Sequence, residues 1–346
     1  NKYFEAMNAQ GKGLEQHEIL KVQLMRGEKE QDYLTHIWNL TSMMDHPIIA
    51  KEEDQDEACY RQFYEEAISL CRQKRFHEVL EKCRYTSLDD EEEYSIDVIQ
   101  PEKIEFKQNS YEDGENSIIS FPEFLLLVLD VCTGGEQPAS HYQPDKLIEK
   151  FDALKTYFTA GEFYEKMLYY RLLLDYYTIR RDIKDGQGNY SLILKGPKDD
   201  SDKLKQYQSM LYVSTEAFYN WLKPYLRKLE QDELHSCAEM LAFLKKEDNE
   251  RHSILPARKD LSYKASGNIR YWFWRLDYYL WEQRSTFFNE EEQKIVEHYV
   301  FRRNRSIEHL HPQDESHNEE WEEEAVHSFG NLAMISHSFN SQQSND

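Results

Sequence analysis

The 346-residue chain has no apolar run of the roughly 18 residues that a membrane span requires; its longest, Phe124 to Val131, is about half that and contains Asp130. A soluble protein without a membrane partner is expected. Paired cysteines are missing too: Cys59, Cys71, Cys83, Cys132 and Cys237 are scattered, odd in number and form no CxxC motif. That excludes a disulfide framework and a cysteine zinc site and fits a reducing cytoplasm. Positive charge is scarce, with 42 Lys and Arg against 65 Asp and Glu and a net charge of -23. A surface that grips nucleic acid everywhere is thereby excluded, and any DNA contact must be a local basic patch. There is no repeat at solenoid periods. The opening residues Lys2-Tyr3-Phe4 read as neither a basic start to an apolar core nor a cleavage site, and the first residue is Asn1 rather than Met. The sequence is therefore read as a fragment. Its length suggests about two domains, and its charge taken alone points to an acidic helical interaction protein.

What is present is helical spacing. Apolar residues recur near i, i+3 and i+4 over 14–25, 32–44, 59–70, 121–132, 147–158, 163–181, 204–221, 234–244 and 271–281. This predicts a mainly α protein built as a multi-helix bundle. Ser120 and Pro122 suit the start of the fourth of these helices, and Gly134-Gly135 with Pro138 its end. The acidic run from Asp89 toward Gly114 and the turn-rich stretches Asp185 to Gly188 and Gly196 to Asp200 read as exposed connections, with Tyr190 to Leu194 a short strand between the last two. Aromatic clusters such as Tyr271-Trp272-Phe273-Trp274 fit helix packing better than base stacking. After Asn289 the character changes. A short helix starts at Glu290, Tyr299 to Ile307 reads as extended chain, and strands are expected to concentrate beyond residue 295.

Six of the thirteen histidines, His298, His309, His311, His317, His327 and His337, lie in this last stretch. Glu308-His309 ends the extended segment, and Pro312 turns the chain away. Neighbouring strand residues face opposite ways, but where a strand ends in a turn they can converge. A carboxylate that holds a hard cation beside an imidazole that deprotonates water is what phosphodiester hydrolysis uses. Taken by itself, Glu308-His309 is a dipeptide of common residues, open to a site or to plain surface. Arg302, Arg303 and Arg305 precede it, placed either to meet a phosphate or to balance Glu290 to Glu292.

The order Ile307-Glu308-His309-Leu310-His311-Pro312-Gln313, then Trp321, then Phe329-Gly330-Asn331-Leu332, then Asn340 resembles the C-terminal domain of GmrSD-type restriction endonucleases. Tyr3 to Lys21 resembles the end of that family's N-terminal domain, whose Asp-Gly-Gln-Gln-Arg motif is absent; Asp185-Gly186-Gln187-Gly188 is a coincidence of letters. The resemblance implies the tail of a GmrSD N-terminal-type domain in 1–28, helices in 29–289 and a small ββα-metal (His-metal finger, HNH-type) nuclease module in 290–346. It implies His309 as general base, Asn331 as the residue that shapes the finger loop, and Glu308 and Asn340 as ligands of Mg2+ or another divalent cation such as Mn2+. It also implies double-stranded DNA as partner, modified phage DNA in particular, met by Arg302, Arg303 and Arg305. The function implied is prokaryotic restriction of foreign DNA. Two positions depart from the pattern: His311 stands in place of an aliphatic residue, to serve as shuttle, extra ligand or exposed side chain, and Phe329 in place of leucine. The finger's closing helix, expected after Asn340, would run past Asp346, so the module is read as C-terminally incomplete and a preceding domain is expected. The alternative is a helical scaffold or sensor whose finger is degenerate or needs a partner. Oligomeric state, homo-oligomer included, stays open.

Overall fold

Most of the helical spacing becomes helix in the computed structural model, which describes residues 15–49, 56–84, 114–183, 190–198, 201–214, 216–265, 268–303, 305–311 and 321–336. The protein is mostly helical, with two small antiparallel sheets among these residues. The chain divides into two compact units, one of residues 1–198 with 222–234, the other of 199–221 with 235–346.

The first unit holds α1 (Gln16–Met25), α2 (Gln31–Ser42), α3 (Glu57–Arg72), α4 (Phe76–Arg84), α5 (Phe121–Cys132), α6 (Leu147–Leu154) and α7 (Ala160–Tyr177). The helix α7 is buried nearly all round, from Phe163 to Tyr176, as a helix apolar on every side must be. Ser120 accepts from the Glu123 backbone N–H and Glu123 returns the bond to the Ser120 backbone, so α5 starts with a capping box and Pro122 in its first turn. Gly134 and Gly135, at φ 103° and 79°, follow its end. Asp130, inside the apolar run, is fully buried and is satisfied by Lys223 at 2.8 Å and by the Gln137 backbone N–H at 3.0 Å.

Beyond the short strand expected at 190–194, sequence reasoning concentrates strands after residue 295, but two further described strands lie in this unit. Strand β2 (Arg180–Ile183) pairs antiparallel with β1 (Gly114–Asn116) and β3 (Tyr190–Ile193), with Gly114 opposite Ile183 and Arg180 opposite Ile193. The two unexpected strands, of three and four residues, are too short to show alternation, and 180–181 continue the preceding helical spacing in sequence. Position is fixed by a buried charge cluster. The carboxylate of Asp175 accepts from Arg171 Nε at 2.9 Å, from Arg180, and from the Ile48 backbone N–H at 2.6 Å. Arg171 then donates to the carbonyls of Thr41, Met43 and His46, and Arg180 to that of Glu115. One aspartate thus ties α7, the turn after α2, and the small sheet.

The second unit contains α8 (Ser201–Val213), α10 (Cys237–Arg251), α11 (Ile269–Glu282), α12 (Arg284–Phe287), α13 (Glu290–Glu297), the strands β4 (Arg305–His309) and β5 (Leu332–Ser336), and the short α14 (Glu323–Val326); the unit boundary falls inside α9 (Phe218–Glu230). Sequence spacing merged 204–221 into one helix, whereas α8 stops at Val213 and α9 begins at Phe218. The aromatics of α11 pack as expected: Tyr271, Phe273, Trp274, Tyr278 and Trp281 are buried. At its heart Asp248 accepts from Tyr207 at 2.7 Å and Tyr271 at 2.9 Å. His252 lies 3.1 Å from Asp248 and 3.3 Å from Glu216, with its ring stacked 3.8 Å from that of Tyr271. Burial alone would lower the His252 pKa; the bonds to Asp248 and Glu216 outweigh it and push it up to about 9. Burial alone would likewise raise Asp248, and the bonds from His252 and Tyr207 hold it below the usual aspartate range.

Two stability measurements test these networks. Asp175→Ala leaves two buried guanidinium groups without their anion and is expected to cost about 3 to 5 kcal/mol in urea unfolding; a loss under about 1 kcal/mol would show the cluster to be incidental. For His252 the folded pKa of about 9 exceeds the ordinary 6.5, so its contribution is complete below about pH 6.5 and disappears as pH rises toward 9. The melting temperature should fall across that interval, and His252→Gln should flatten the fall.

Candidate functional site

The two-stranded ribbon β4–β5 carries the candidate site. Its register sets Ile307 opposite Met334, Glu308 opposite Ala333 and His309 opposite Leu332. Strand alternation then gives one apolar face, with Ile307, Met334 and Leu332, and this face packs on Ile269 and Phe273 of α11 together with Phe329. The rings of Phe273 and Phe329 stack at 4.2 Å, which uses the phenylalanine that departs from the family pattern as packing.

His309 ends β4 on this same face, partly buried. Its Nε2 lies 3.0 Å from Nδ1 of His327, and its ring centroid 4.5 Å from that of Tyr263. The Tyr263 backbone N–H donates to the His327 carbonyl at 2.9 Å, so the turn before α11 is fastened beside the imidazole pair. Burial and, secondly, the nearby His327 hold the His309 pKa below the ordinary histidine value. A neutral imidazole at physiological pH is what proton acceptance needs. If Nε2–H is the donor toward His327, Nδ1 is the basic nitrogen, and the partner thereby fixes the tautomer.

Asn331 is 4 % exposed and its side chain closes the loop that follows β4. Its Oδ1 accepts from the His311 backbone N–H at 2.8 Å, and its Nδ2 donates to the carbonyls of Val326 at 2.7 Å and His311 at 3.2 Å. Its own carbonyl accepts from the Leu310 N–H at 2.8 Å. His311 stacks on Trp321 at 4.2 Å and 9°, which gives this departure from the family pattern a packing contact.

The pleat puts Glu308, with Ser306, on the ribbon face opposite His309. Asn340 lies outside the described residues, as do His317 and His337. Among the described residues no three His, Cys, Asp or Glu side chains are grouped to hold a metal ion. Those residues therefore do not by themselves fit a divalent cation: they bring an imidazole pair together but not the oxygen ligands that Mg2+ prefers. Arg302 is exposed. Arg303 is committed to packing, with its guanidinium 4.0 Å over the Tyr212 ring and bonded to the Tyr212 carbonyl at 3.1 Å. Arg305 sits in β4 opposite Ser336. His327 and Tyr263 were not singled out by sequence reasoning. His327 belonged to the histidine cluster without a spacing to mark it, and Tyr263 precedes the motif altogether. In the first unit a cleft of about 730 Å³ is lined by Arg72, Phe158, Lys166 and Glu230 among others, but Lys166 is paired with Glu230 and Arg72 with Asp232.

The local pattern is a ribbon that ends one strand in a histidine, with the loop after it closed by an asparagine. Residues 245–346 match the family of GmrSD restriction endonucleases, C-terminal domain. The match begins inside α10 and so takes in α11, the helix on which the ribbon packs. The matched segment is under a third of the chain, and the likeness is of that segment to this family's C-terminal domain. No curated protein and no solved structure matches the chain. Among the described residues no helix is long and apolar enough to cross a membrane, and the five cysteines form no disulfide.

Asn331→Ala removes three side-chain bonds from a buried loop, at about 1 to 3 kcal/mol for each backbone group left unsatisfied. Chemical denaturation should show that loss, with Asn331→Asp recovering only the bond from the His311 N–H. Equal stability of wild type and Asn331→Ala would mean that the loop holds its shape without the amide.

Proposed function

We propose that this chain is a divalent-metal-dependent DNA endonuclease of the His-metal finger type, acting in prokaryotic restriction of foreign, modified DNA in the cytoplasm. The finger proper is assigned to 290–346, after helices in 29–289 and the tail of an N-terminal-type domain in 1–28. The observation that carries the reading is the partly buried His309 held against His327 at 3.0 Å, within a segment that matches a restriction endonuclease domain. In the step proposed, His309 Nδ1 takes a proton from water, the water oxygen bonds to phosphorus, and the P–O3′ bond breaks. The departing O3′ takes a proton from solvent, leaving 5′-phosphate and 3′-hydroxyl ends. A bound Mg2+ or Mn2+ would neutralise phosphate charge, with Glu308 and Asn340 as its proposed ligands. Asn331 fixes the loop that carries the strand end. Arg302 and Arg305 are proposed for phosphate contact, and Arg303 only in addition to its place on Tyr212.

The placement of Glu308 across the ribbon from His309 favours a second reading, a helical scaffold or sensor whose finger is degenerate or completed by a partner. Plasmid nicking separates the two. With Mg2+ or Mn2+ the wild type should cut, EDTA should stop it, and His309→Ala should cut about 10² to 10⁴ times more slowly while binding DNA as before. Unimpaired nicking by His309→Ala would remove His309 as base. A wild type that binds DNA and never nicks it would favour the scaffold.

A further inference from the structure

The chain's acidity is interrupted beside His309 by a segment in which the arginines of the sequence motif play no part. From Arg251 to Arg270 there are five cations, Arg251, Arg258, Lys259, Lys264 and Arg270, and one acid, Asp260. Arg251 is used internally, donating to the Asn220 carbonyl at 2.7 Å. Asp260 turns its carboxylate inward on its own turn, accepting from the Ala257 backbone N–H at 3.0 Å. Arg258 and Lys259, on the single 3-10 turn Arg258–Leu261, are exposed and enter no ion pair with described residues. The turn is not free to wander. Tyr263 is bonded through its backbone to His327 and lies with its ring against His309, and Lys264 reaches Glu323. An exposed pair of cations thus sits a few residues before Tyr263, whose ring lies against the proposed base, in a chain whose net charge of -23 would otherwise repel a polyanion.

We propose that the Arg258–Lys264 turn is the phosphate-gripping arm of this site: Arg258 and Lys259 neutralise backbone phosphates of a DNA duplex whose scissile phosphate lies at His309, and Tyr263 is the fixed link between grip and base. The inference rests on the nuclease reading above and deepens it, because it names which surface meets the duplex. It shifts the weight of DNA contact from Arg303, which is occupied by Tyr212, to a turn ahead of the motif. Phosphate contacts carry no sequence information and set affinity and its salt dependence.

The test is fluorescence-anisotropy titration of a labelled 30-base-pair duplex with the full chain, over a series of salt concentrations. Each phosphate contact contributes about 0.9 to the slope of log affinity against log salt, so Arg258→Ala with Lys259→Ala should lower that slope by nearly twice that amount. Arg258→Lys with Lys259→Arg should restore it, because charge at the turn is what is read. Lys246→Ala, an exposed lysine of α10, should leave it unchanged. A wild type with a steep slope that the double alanine variant keeps in full would overturn the arm and leave the nuclease reading standing. A wild type whose duplex binding is absent or indifferent to salt would overturn both. The nicking rate of His309→Ala distinguishes the base from the grip, since that variant should lose cutting while retaining the wild-type slope.

Discussion

The candidate site depends on one carboxamide. The neutral carboxamide of Asn331 accepts from a backbone N–H on one side and donates two bonds to carbonyls on the other without carrying charge. Its partners lie on both sides of the ribbon, at His311 after β4 and at Val326 before β5. The bonds fasten the departure of one strand to the approach of the other. The cross-strand register, the end position of His309 and the direction of the loop that follows all rest on that closure. An aspartate would bring a buried charge and lose both donors, and a leucine of similar volume would strand three polar groups.

The two units meet the problem of buried polarity in different ways. In the first, a carboxylate is locked between two guanidinium groups that spend their remaining donors on carbonyls, so the donors are filled although the cations outnumber the anion. In the second, Asp248 is satisfied largely by phenol hydroxyls and by a histidine, a softer arrangement whose charge balance changes within an accessible pH range. Tyrosine is abundant in this chain, and here it supplies donors to buried acids as well as ring packing.

How much of this could be read from the residues varies with the range of the interaction. Ser120, Glu123 and Pro122 announce their helix because a cap is a contact over three residues, and the apolar run behind them is long enough to show its period. The sheet of the first unit is too short for that: three residues at Gly114–Asn116 carry no alternation, and their partners at Arg180–Ile183 continue a helical pattern in letters while breaking it in space. In the site, Glu308, His309 and Asn331 were legible as members of an ordered motif. Their mutual geometry was not legible. Alternation along β4 separates Glu308 from His309, whereas the sequence reading had them converge at the strand end. The partner of His309 proved to be His327, brought close by the loop that Asn331 closes. Arg303 looked like a phosphate contact because charge is visible in sequence, and the Tyr212 ring that engages it is not.

The helix α11 has a consequence for how this unit opens. Tyr271 on one side reaches the Asp248 network, while Ile269 and Phe273 on another form the floor under β4–β5. A two-stranded ribbon has little independent stability in water and borrows its persistence from what it packs on. Ribbon and buried acid therefore share one helix as a common load, and loosening either strips the other of its support. The unit should behave as a single cooperative foldon in which the site is no more labile than the helix beneath it, the reverse of the arrangement in which a binding loop frays independently of its scaffold.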